Sequence, residues 1–415
     1  MNCLDHISSG RVMERADALA RHSEQQGGLT RVSLSPEYRA ASELVLGWMR
    51  EAGMQARLDA IGNVVGRYEG DRPGLACLMF GSHLDTVRDA GKYDGMLGVI
   101  CALECVQALH AAGKRLPFAI EVVGFTDEEG VRFGVTLLGS RAIAGTFDPK
   151  MLEAKDGNGT SLAEALRAFG LDPARIGEAA RRRDELHAYA ELHIEQGPVL
   201  EAEGLPVGAV TAINGYTRMA VTVEGSAGHA GTVPMNLRRD ALAAAAECVL
   251  AVERIGSAEP ELVATVGKLE ALPGAINVIP GCVRFTVDVR APVDAMRVRA
   301  LEAIGMEITA ICRRRELVLR NERTQEMGVA ACAPWLIERM ERAIRDEGVG
   351  VRRLPSGAGH DGMAMQAIAD IAMLFVRCEK GISHNPAEAI TAADARTGAR
   401  VLLRFMEEFR PKEPL

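Results

Sequence analysis

The sequence contains no apolar run long enough to span a bilayer, so we expect no membrane-embedded segment. Its first residues lack the apolar stretch and the small-residue cleavage site of a secretion signal. The formal net charge of −8 gives no general attraction to nucleic acid or to anionic lipid. These absences predict a cytoplasmic protein that binds neither membranes nor nucleic acids.

The nine cysteines include no C-x-x-C pair, and most of them lie in apolar stretches, where a free thiol behaves as a small hydrophobic group. This pattern fits a reducing compartment and predicts no disulfides. Cys101 and Cys105 lie one helical turn apart and could be metal ligands, but such cysteines more often pack in the core. The chain also lacks a G-x-S-x-G elbow, and no cysteine has an obvious activating partner, which argues against a serine or cysteine nucleophile.

A length of 415 residues suits two domains. Apolar strands alternate with helices in the first half, which predicts an α/β layer with a mostly parallel sheet. From Tyr216 the predicted order is β-α-β-β-α-β, the split βαβ arrangement of ferredoxin-like domains. It includes one strand over residues 262–269 and another over 316–320. We therefore expect a catalytic domain formed by residues 1–212 and 329–415, with residues 213–328 inserted as an α+β domain.

Three predicted strands end in polar clusters. Leu75–Phe80 runs into His83 and Asp85, Phe118–Phe125 precedes the pair Glu128 and Glu129, and a third strand ends at His193. In parallel sheets, sites form beyond the carboxyl ends of the strands. One histidine at a strand end is more often a packed or solvated residue than a ligand, but several histidines combined with acidic clusters are hard to explain in that way. The sequence therefore predicts a metal centre.

Five of the nine histidines lie in glycine-rich loops beside carboxylates or polar residues: His83, His193, His229, His360 and His384. Imidazole and carboxylate suit Zn²⁺, Mn²⁺, Co²⁺ and Ni²⁺ alike. A carboxylate shared by two such ions makes a two-metal site that activates water.

The neighbours of these histidines have predicted roles as well. Of the adjacent acids Glu128 and Glu129, the second can bind metal while the first stays free as a proton shuttle. Asp85, two residues beyond His83, can accept the second ring N–H of that histidine and fix its tautomer.

Seven motifs follow one another in the chain: GSHLDT (81–86), GKYDG (91–95), DEEG (127–130), HIEQG (193–197), GHAGT (228–232), SGAGHD (356–361) and SHNP (383–386). The set resembles the hydantoinase/carbamoylase branch of the M20 metallopeptidase family over nearly the whole chain. That branch contains allantoate amidohydrolases, N-carbamoyl-L-amino acid amidohydrolases, β-ureidopropionases and ureidoglycolate amidohydrolases.

The resemblance implies two divalent ions per subunit, Zn²⁺ or Mn²⁺, with Co²⁺ and Ni²⁺ as further candidates. His83, Asp94 and His193 would hold one ion. Asp94, Glu129 and His384 would hold the other, so that Asp94 bridges the two ions.

The resemblance also assigns catalytic roles. Glu128 would be the general base and then the general acid, and Asp85 would orient His83. The inserted domain would be both the lid and the dimerisation domain of a homodimer. From it His229 would reach the oxyanion of an active site in the partner subunit.

Five further residues would contact the substrate. Asn277 and Arg290 would grip its carboxylate, and Gln196 would lie near it. Gly359 and His360 belong to the SGAGHD loop. From the residues alone, a turn cap and a surface salt bridge are the simpler explanations of Asn277 and Arg290.

The predicted activity is metal-dependent hydrolysis of a linear C–N amide bond in a small ureido carboxylate. The segments DAGKYD (89–94) and EVVGFTDEEG (121–130) resemble those of bacterial allantoate amidohydrolases, and this resemblance favours allantoate. N-carbamoyl-L-amino acids and N-carbamoyl-β-alanine are the alternatives, because a shared fold does not define the substrate. A peptidase or deacylase of the wider family usually carries a carboxylate where this chain has His193. A non-catalytic protein on this fold would have lost Glu128 or a ligand, and this chain has lost neither.

Overall fold

The computed structural model describes residues 2–412 and divides the chain into two compact units. Within the described residues, the first unit consists of 2–211, 332–354 and 358–412. The second unit consists of Ala212–Ala331 and Pro355–Gly357. Among the helices within residues 2–412, none is both long and apolar enough to cross a membrane.

The strands are β1 Gln55–Leu58, β2 Val64–Tyr68, β3 Cys77–His83, β4 Ala119–Phe125, β5 Leu186–Ile194, β6 Val207–Ile213, β7 Gly215–Glu224, β8 Gly228–His229, β9 Val263–Thr265, β10 Leu269–Leu272, β11 Val278–Ile279, β12 Cys282–Ala291, β13 Val318–Met327, β14 Ala330–Ala331, β15 Arg353–Ser356 and β16 Ile371–Val376.

The α-helices are α1 Ser9–Ala20, α2 Pro36–Glu51, α3 Met96–Ala111, α4 Leu138–Ile143, α5 Leu162–Ala168, α6 Val199–Ala202, α7 Ala241–Gly256, α8 Asp294–Arg314, α9 Pro334–Asp346, α10 Gly362–Met365 and α11 Ala392–Glu408. Short 3₁₀ turns lie at Cys3–His6, Pro149–Glu153, Pro173–Ala179, Arg183–Glu185, Met235–Leu237 and Glu379–Gly381.

The large sheet has the strand order β1-β2-β4-β3-β5-β16-β6-β14, and β15 also pairs with β6. Its four central strands, β4, β3, β5 and β16, are parallel, and antiparallel strands flank them on both sides. Every residue of β3, β4 and β16 is buried, as expected of parallel strands with both faces covered. The predicted α/β fold with a mostly parallel central sheet is therefore confirmed.

Local sequence signals explain where the helices of this unit begin. Helix α2 starts at Pro36, and the Ser35 hydroxyl accepts the N–H of Tyr38 at 3.0 Å. Helix α3 is apolar on nearly all sides and packs against β3 and α11, so that most of its residues are buried. Its first residue is Met96, which places the loop around Asp94 at the edge of the sheet.

The second unit contains the predicted β-α-β-β-α-β order, formed by β7, α7, β9 with β10, β12, α8 and β13. Its antiparallel sheet has the strand order β10-β12-β7-β13, and β9 also pairs with β12. The buried faces of α7 and α8 pack on this sheet through Val252, Ile304 and Val287, among other residues. The role of this unit as a lid stays a prediction.

Two strands of the second unit differ from the sequence expectation. The strand expected over residues 262–269 is interrupted: Thr265 pairs with Asp288, whereas Leu269 pairs with Phe285. Three residues therefore face two on β12, and the extra residue makes a bulge. Strand β13 continues to Met327, well beyond the expected residue 320, because main-chain pairing with β7 extends a largely polar and exposed segment.

Candidate metal centre

Each of the four parallel strands carries a predicted metal or catalytic residue to the same edge of the sheet. His83 is the last residue of β3, and His193 is the penultimate residue of β5. Glu128 and Glu129 follow β4, and His384 lies in the segment after β16. Because the carboxyl ends of parallel strands meet at one edge, residues distant in the sequence become neighbours there.

Asp94 lies at the centre of this group. Its Oδ1 is 3.8 Å from Nε2 of His83 and 3.2 Å from Nε2 of His193. Its Oδ2 is 3.1 Å from Nε2 of His384, and that nitrogen is 3.5 Å from Oε1 of Glu129. Two sets of potential metal-ligand atoms thus share one carboxylate, and within each set the atoms lie within 4.8 Å of one another. The structure brings together all five predicted ligands.

The orientation of two imidazole rings prepares them as ligands. Nδ1 of His83 lies 2.9 Å from the main-chain carbonyl of Asp85, and Nδ1 of His193 lies 2.9 Å from that of Ile194. A carbonyl oxygen only accepts, so each Nδ1 carries a hydrogen, and Nε2, the ring nitrogen left for a metal ion, faces Asp94. Gly95, at φ +69°, lies against the His83 ring so closely that a Cβ there would be 2.5 Å from ring atoms.

The contact that orients His83 comes from a different atom of Asp85 than expected. The main-chain carbonyl, and not the carboxylate, accepts the ring N–H. The carboxylate instead accepts the main-chain N–H groups of Glu128 at 3.1 Å and Glu129 at 3.2 Å. Asp85 therefore links the end of β3 to the loop that follows β4, and it positions the two glutamates as well as the histidine.

Burial and mutual repulsion dominate the electrostatics of the carboxylates. Burial, together with the charges of Glu129 and Asp361, raises the pKa of Glu128 well above its ordinary value. Burial and the charge of Asp94 raise the pKa of Glu129 to about 7. Burial also acts to raise the pKa of Asp94, but hydrogen bonds with His193 and His384 hold it well below its ordinary value.

The histidines show the complementary shift. Burial lowers the pKa of His193, but its hydrogen bond with Asp94 and the charge of that carboxylate raise the pKa to about 9. A hydrogen bond with Asp94 likewise raises the pKa of His384 to about 9. Three imidazoles and two carboxylates suit divalent Zn²⁺ or Mn²⁺, and positive charge relieves the repulsion among buried carboxylates. The residues present therefore fit the predicted metal.

The remaining predicted residues of the first unit lie around this cluster. Gln196 donates from Nε2 to Oδ1 of Asp94 at 3.2 Å, so it contacts a predicted ligand. Gly359 is exposed, and a Cβ at this position would be 3.7 Å from Oε1 of Glu128. His360 is buried with its ring 4.4 Å from that of His193, between centroids. Burial and the charge of His193 hold the pKa of His360 well below its ordinary value.

The second unit carries the three other predicted residues. His229 pairs with Val278 across the short β8–β11 ladder, and the main-chain carbonyl of Asn277 accepts the N–H of Ala230 at 3.0 Å. His229 and Asn277 are therefore neighbours. Arg290 lies on β12, where its guanidinium donates to both carboxylate oxygens of Asp288 at 2.9 and 3.0 Å. Contact of these residues with substrate stays a prediction.

Two buried glutamates of the site are absent from the residues predicted from the sequence. Glu191, on β5, accepts hydrogen bonds from the Ser82 hydroxyl at 3.0 Å and the Tyr189 hydroxyl at 2.9 Å. Glu191 could have been recognised in the sequence because it is a charged residue within an apolar strand. Glu388 accepts main-chain N–H groups from the Asp94 loop, and only its position four residues after His384 could have indicated it.

Three residues of the site adopt left-handed backbone conformations that side chains other than glycine rarely take. Asp127 has φ 54°, Gln196 has φ 58° and His384 has φ 54°. Such conformations cost free energy and persist only where surrounding contacts impose them, and they cluster at functional sites.

Comparison with known proteins places the chain in a family. The family model described as Peptidase family M20/M25/M40 matches residues 79–408. The N-carbamoyl-L-amino acid amidohydrolase of Geobacillus stearothermophilus is 45% identical over 397 residues, covering 95% of this chain and 97% of that protein. A protein of Oryza sativa subsp. japonica, named a probable allantoate deiminase, is 40% identical over 428 residues. The match covers 95% of this chain and 87% of that protein.

A crystal structure shows the same relationship. The amidase of the hydantoinase/carbamoylase family from Burkholderia multivorans matches with a TM-score of 0.92 and 36% identity, covering 99% of each chain. The chain belongs to the M20/M25/M40 peptidase family, as its seven motifs predict. It is a hydrolase that acts on carbon–nitrogen bonds other than peptide bonds.

Binding of divalent ions should depend steeply on pH. With pKa values of about 9, His193 and His384 are protonated in the metal-free protein at pH 7, and a ligand must lose its proton to bind. Affinity for Mn²⁺ should therefore fall as the pH falls from 8 to 6, by about tenfold per pH unit for each proton displaced. Isothermal titration of chelator-treated protein measures the Mn²⁺ affinity at each pH. Repeating it in two buffers of different protonation enthalpy measures the number of protons released. Binding without proton release and without pH dependence would contradict the ligand assignment.

Proposed function

We propose that this protein is a two-metal amidohydrolase that cleaves a linear C–N bond of a small ureido carboxylate. The observation that carries the proposal is the position of Asp94, whose two oxygens face different ligand sets. His83, Asp94 and His193 would hold one ion, and Asp94, Glu129 and His384 would hold the other. Bound there, Zn²⁺ or Mn²⁺ (Co²⁺ and Ni²⁺ being possible substitutes) would lower the pKa of a water molecule and stabilise negative charge on the attacked carbonyl.

Glu128 fits the role of proton shuttle. It is adjacent to a predicted ligand, and the Asp85 carboxylate holds its main-chain N–H. Gly359 carries no side chain near the Glu128 carboxyl group, which leaves room there for substrate. In this role Glu128 removes a proton from water as the C–O bond forms and delivers it to the leaving nitrogen as the C–N bond breaks. A positioned acid–base group typically contributes about 10²–10⁴ in rate.

His229 has the tautomer that an oxyanion donor requires. The main-chain N–H of Gly231 donates to its Nδ1 at 3.0 Å, so in the neutral ring the hydrogen lies on Nε2. The side chain is exposed and can present this Nε2–H to the substrate carbonyl oxygen. A donor of this kind is typically worth about 2.7–4 kcal/mol of barrier.

We also propose that the second unit is the lid and the dimerisation domain of a homodimer, so that His229 serves the active site of the partner subunit. Exposed apolar side chains on its helices, such as Leu250 on α7 and Met306 on α8, support an interface on this unit.

Arg290 fits the role of a carboxylate clamp. Of its five N–H groups, two face Asp288 and one faces the main-chain carbonyl of Gly357 at 2.8 Å. The remaining two lie on the two terminal nitrogens, the pair that binds a carboxylate in the bidentate manner. Asn277 is proposed as the second contact to the same carboxylate.

Allantoate is the first candidate substrate, on the strength of the segments around Asp94 and Glu128. N-carbamoyl-L-amino acids are the second candidate, and the relative from Geobacillus stearothermophilus, named for that activity and 45% identical, favours them.

Metal-stripped protein reloaded with Mn²⁺, Zn²⁺, Co²⁺ or Ni²⁺ should release ammonia from one ureido carboxylate in strong preference to the others. The comparison includes allantoate, N-carbamoyl-L-amino acids, N-carbamoyl-β-alanine and ureidoglycolate, with dipeptides and N-acyl amino acids as controls. The metal-dependent preference identifies the substrate. Metal-loaded protein that leaves all four ureides intact and hydrolyses a control would assign the chain to the peptidase or deacylase side of the family.

The substitution Glu128→Gln should retain metal binding and lose turnover by about 10²–10⁴, because the amide cannot take up and return a proton. Metal content by elemental analysis and kcat on the preferred ureide measure the two effects. The matched control is Glu379→Gln, which removes an exposed glutamate. Turnover close to wild type in the Glu128 variant would remove this residue from the mechanism.

The substitution Arg290→Lys should raise KM for a carboxylate substrate by roughly tenfold or more and leave kcat less affected, since lysine lacks the planar fork. Steady-state kinetics of this variant are compared with those of Arg254→Lys, an exposed arginine on α7 that pairs with Glu307 at 3.3 Å. Equal KM values in the two variants would contradict the clamp.

A further inference from the structure

Glu388 connects the segments that carry two of the proposed ligands. It lies four residues after His384, in the segment that leads into α11, and it is buried. Its Oε1 accepts the main-chain N–H of Tyr93 at 2.8 Å and that of Asp94 at 3.1 Å. One carboxylate oxygen therefore accepts both of the consecutive main-chain N–H groups that immediately precede the Asp94 side chain.

The second oxygen of Glu388 is connected to the Asp94 carboxylate through the hydroxyl group of Ser383. Its Oε2 lies 3.3 Å from the Ser383 hydroxyl, which lies 3.4 Å from Oδ2 of Asp94. Gln196 donates from Nε2 to the Ser383 hydroxyl at 3.0 Å and to Oδ1 of Asp94 at 3.2 Å. The Asp94 carboxylate thus has side-chain contacts on both oxygens in addition to those from the histidines.

The chain makes room for this contact at Gly91. A Cβ on Gly91 would lie 2.3 Å from Cβ, Cδ and Oε1 of Glu388, a separation that no side chain could tolerate. The loop before Asp94 therefore lies directly against the Glu388 side chain. Neither predicted ligand set includes Glu388, and its Oε1 is already occupied by two N–H groups.

We infer that Glu388 is a positioning residue that holds the Asp94 carboxylate between the two ligand sets, with Ser383 and Gln196 completing the contact. The inference rests on the proposed two-metal function, in which Asp94 would belong to both ligand sets. It also gives Gln196 a role in orienting a ligand, where the family resemblance implies only nearness to substrate.

The substitution Glu388→Gln preserves the volume of the side chain and removes its charge and one of its two acceptor oxygens. The Gln side chain cannot accept from both the Asp94 loop and Ser383 with the original geometry. Partners that orient metal ligands typically contribute 10- to 100-fold in affinity, so Mn²⁺ affinity should fall by about that factor. The Co²⁺ absorption spectrum should also change, because the ligand field reports the geometry of Asp94.

Kinetics separate positioning from a general loss of structure. Activity of the Glu388→Gln protein should fall at limiting Mn²⁺ and recover in excess Mn²⁺, while KM for substrate and the melting temperature of the metal-free protein stay near wild type. Glu379→Gln, an exposed glutamate on the same segment, is the matched control and should leave all of these quantities unchanged. If the Glu388 variant does not fold, Ser383→Ala interrupts the same set of contacts and should weaken Mn²⁺ binding in the same direction.

The outcomes distinguish this inference from the function on which it rests. Wild-type protein that binds no divalent ion would overturn the two-metal proposal itself. Wild-type protein that binds two ions per chain, together with Glu388→Gln protein of equal affinity and an identical Co²⁺ spectrum, would overturn the positioning role alone. A variant that folds, has normal metal affinity and shows a changed KM would also overturn it, because that pattern indicates contact with substrate.

Discussion

The structure of the site depends on the concentration of buried negative charge around one carboxylate, that of Asp94. Burial is the largest cause that raises the pKa values of Glu128, Glu129 and Asp361. Neighbouring charges add to it: those of Glu129 and Asp361 act on Glu128, and that of Asp94 acts on Glu129. Asp94 stays ionised because histidines face both of its oxygens. This set of buried carboxylates is stable only with compensating positive charge, and the proposed divalent ions would supply that charge.

The surrounding backbone adapts to this group. Asp127, Gln196 and His384 adopt left-handed conformations, and Gly95 lies where a side chain would overlap the His83 ring. The Asp85 carboxylate satisfies the N–H groups of the loop after β4. The left-handed conformations make local geometry less favourable, Gly95 lacks a side chain, and both features occur in or beside the cluster around Asp94. The pattern is that of a site whose geometry is imposed by its surroundings.

Residue type and position along the chain were sufficient to predict much of this arrangement. Histidines and acids directly after apolar segments predicted a metal centre, because parallel strands bring their carboxyl ends to one edge. The resemblance to the family added the individual ligand assignments. The carbonyl of Asp85 could not be predicted as the acceptor for His83, because backbone orientation at the end of β3 decides which acceptor reaches the ring. Glu191 and Glu388 were not identified, since their partners lie 109 and 295 residues away for the contacts with Ser82 and Tyr93.

The sequence by itself predicted most element types, because periodicity is a local property of the chain. Its ordered motifs predicted, by resemblance, the family and the five residues that the structure brings together as potential metal ligands. Only the tertiary structure decided which oxygen of Asp94 faces which histidine, which atom of Asp85 orients His83, and that Glu388 holds the Asp94 loop. It also decided the bulge between β9 and β10, which exists only in relation to β12. The contact between Asp85 and His83 depends on the backbone at the end of β3. The other features are contacts between distant segments, and their geometry is defined only when the strands have packed side by side.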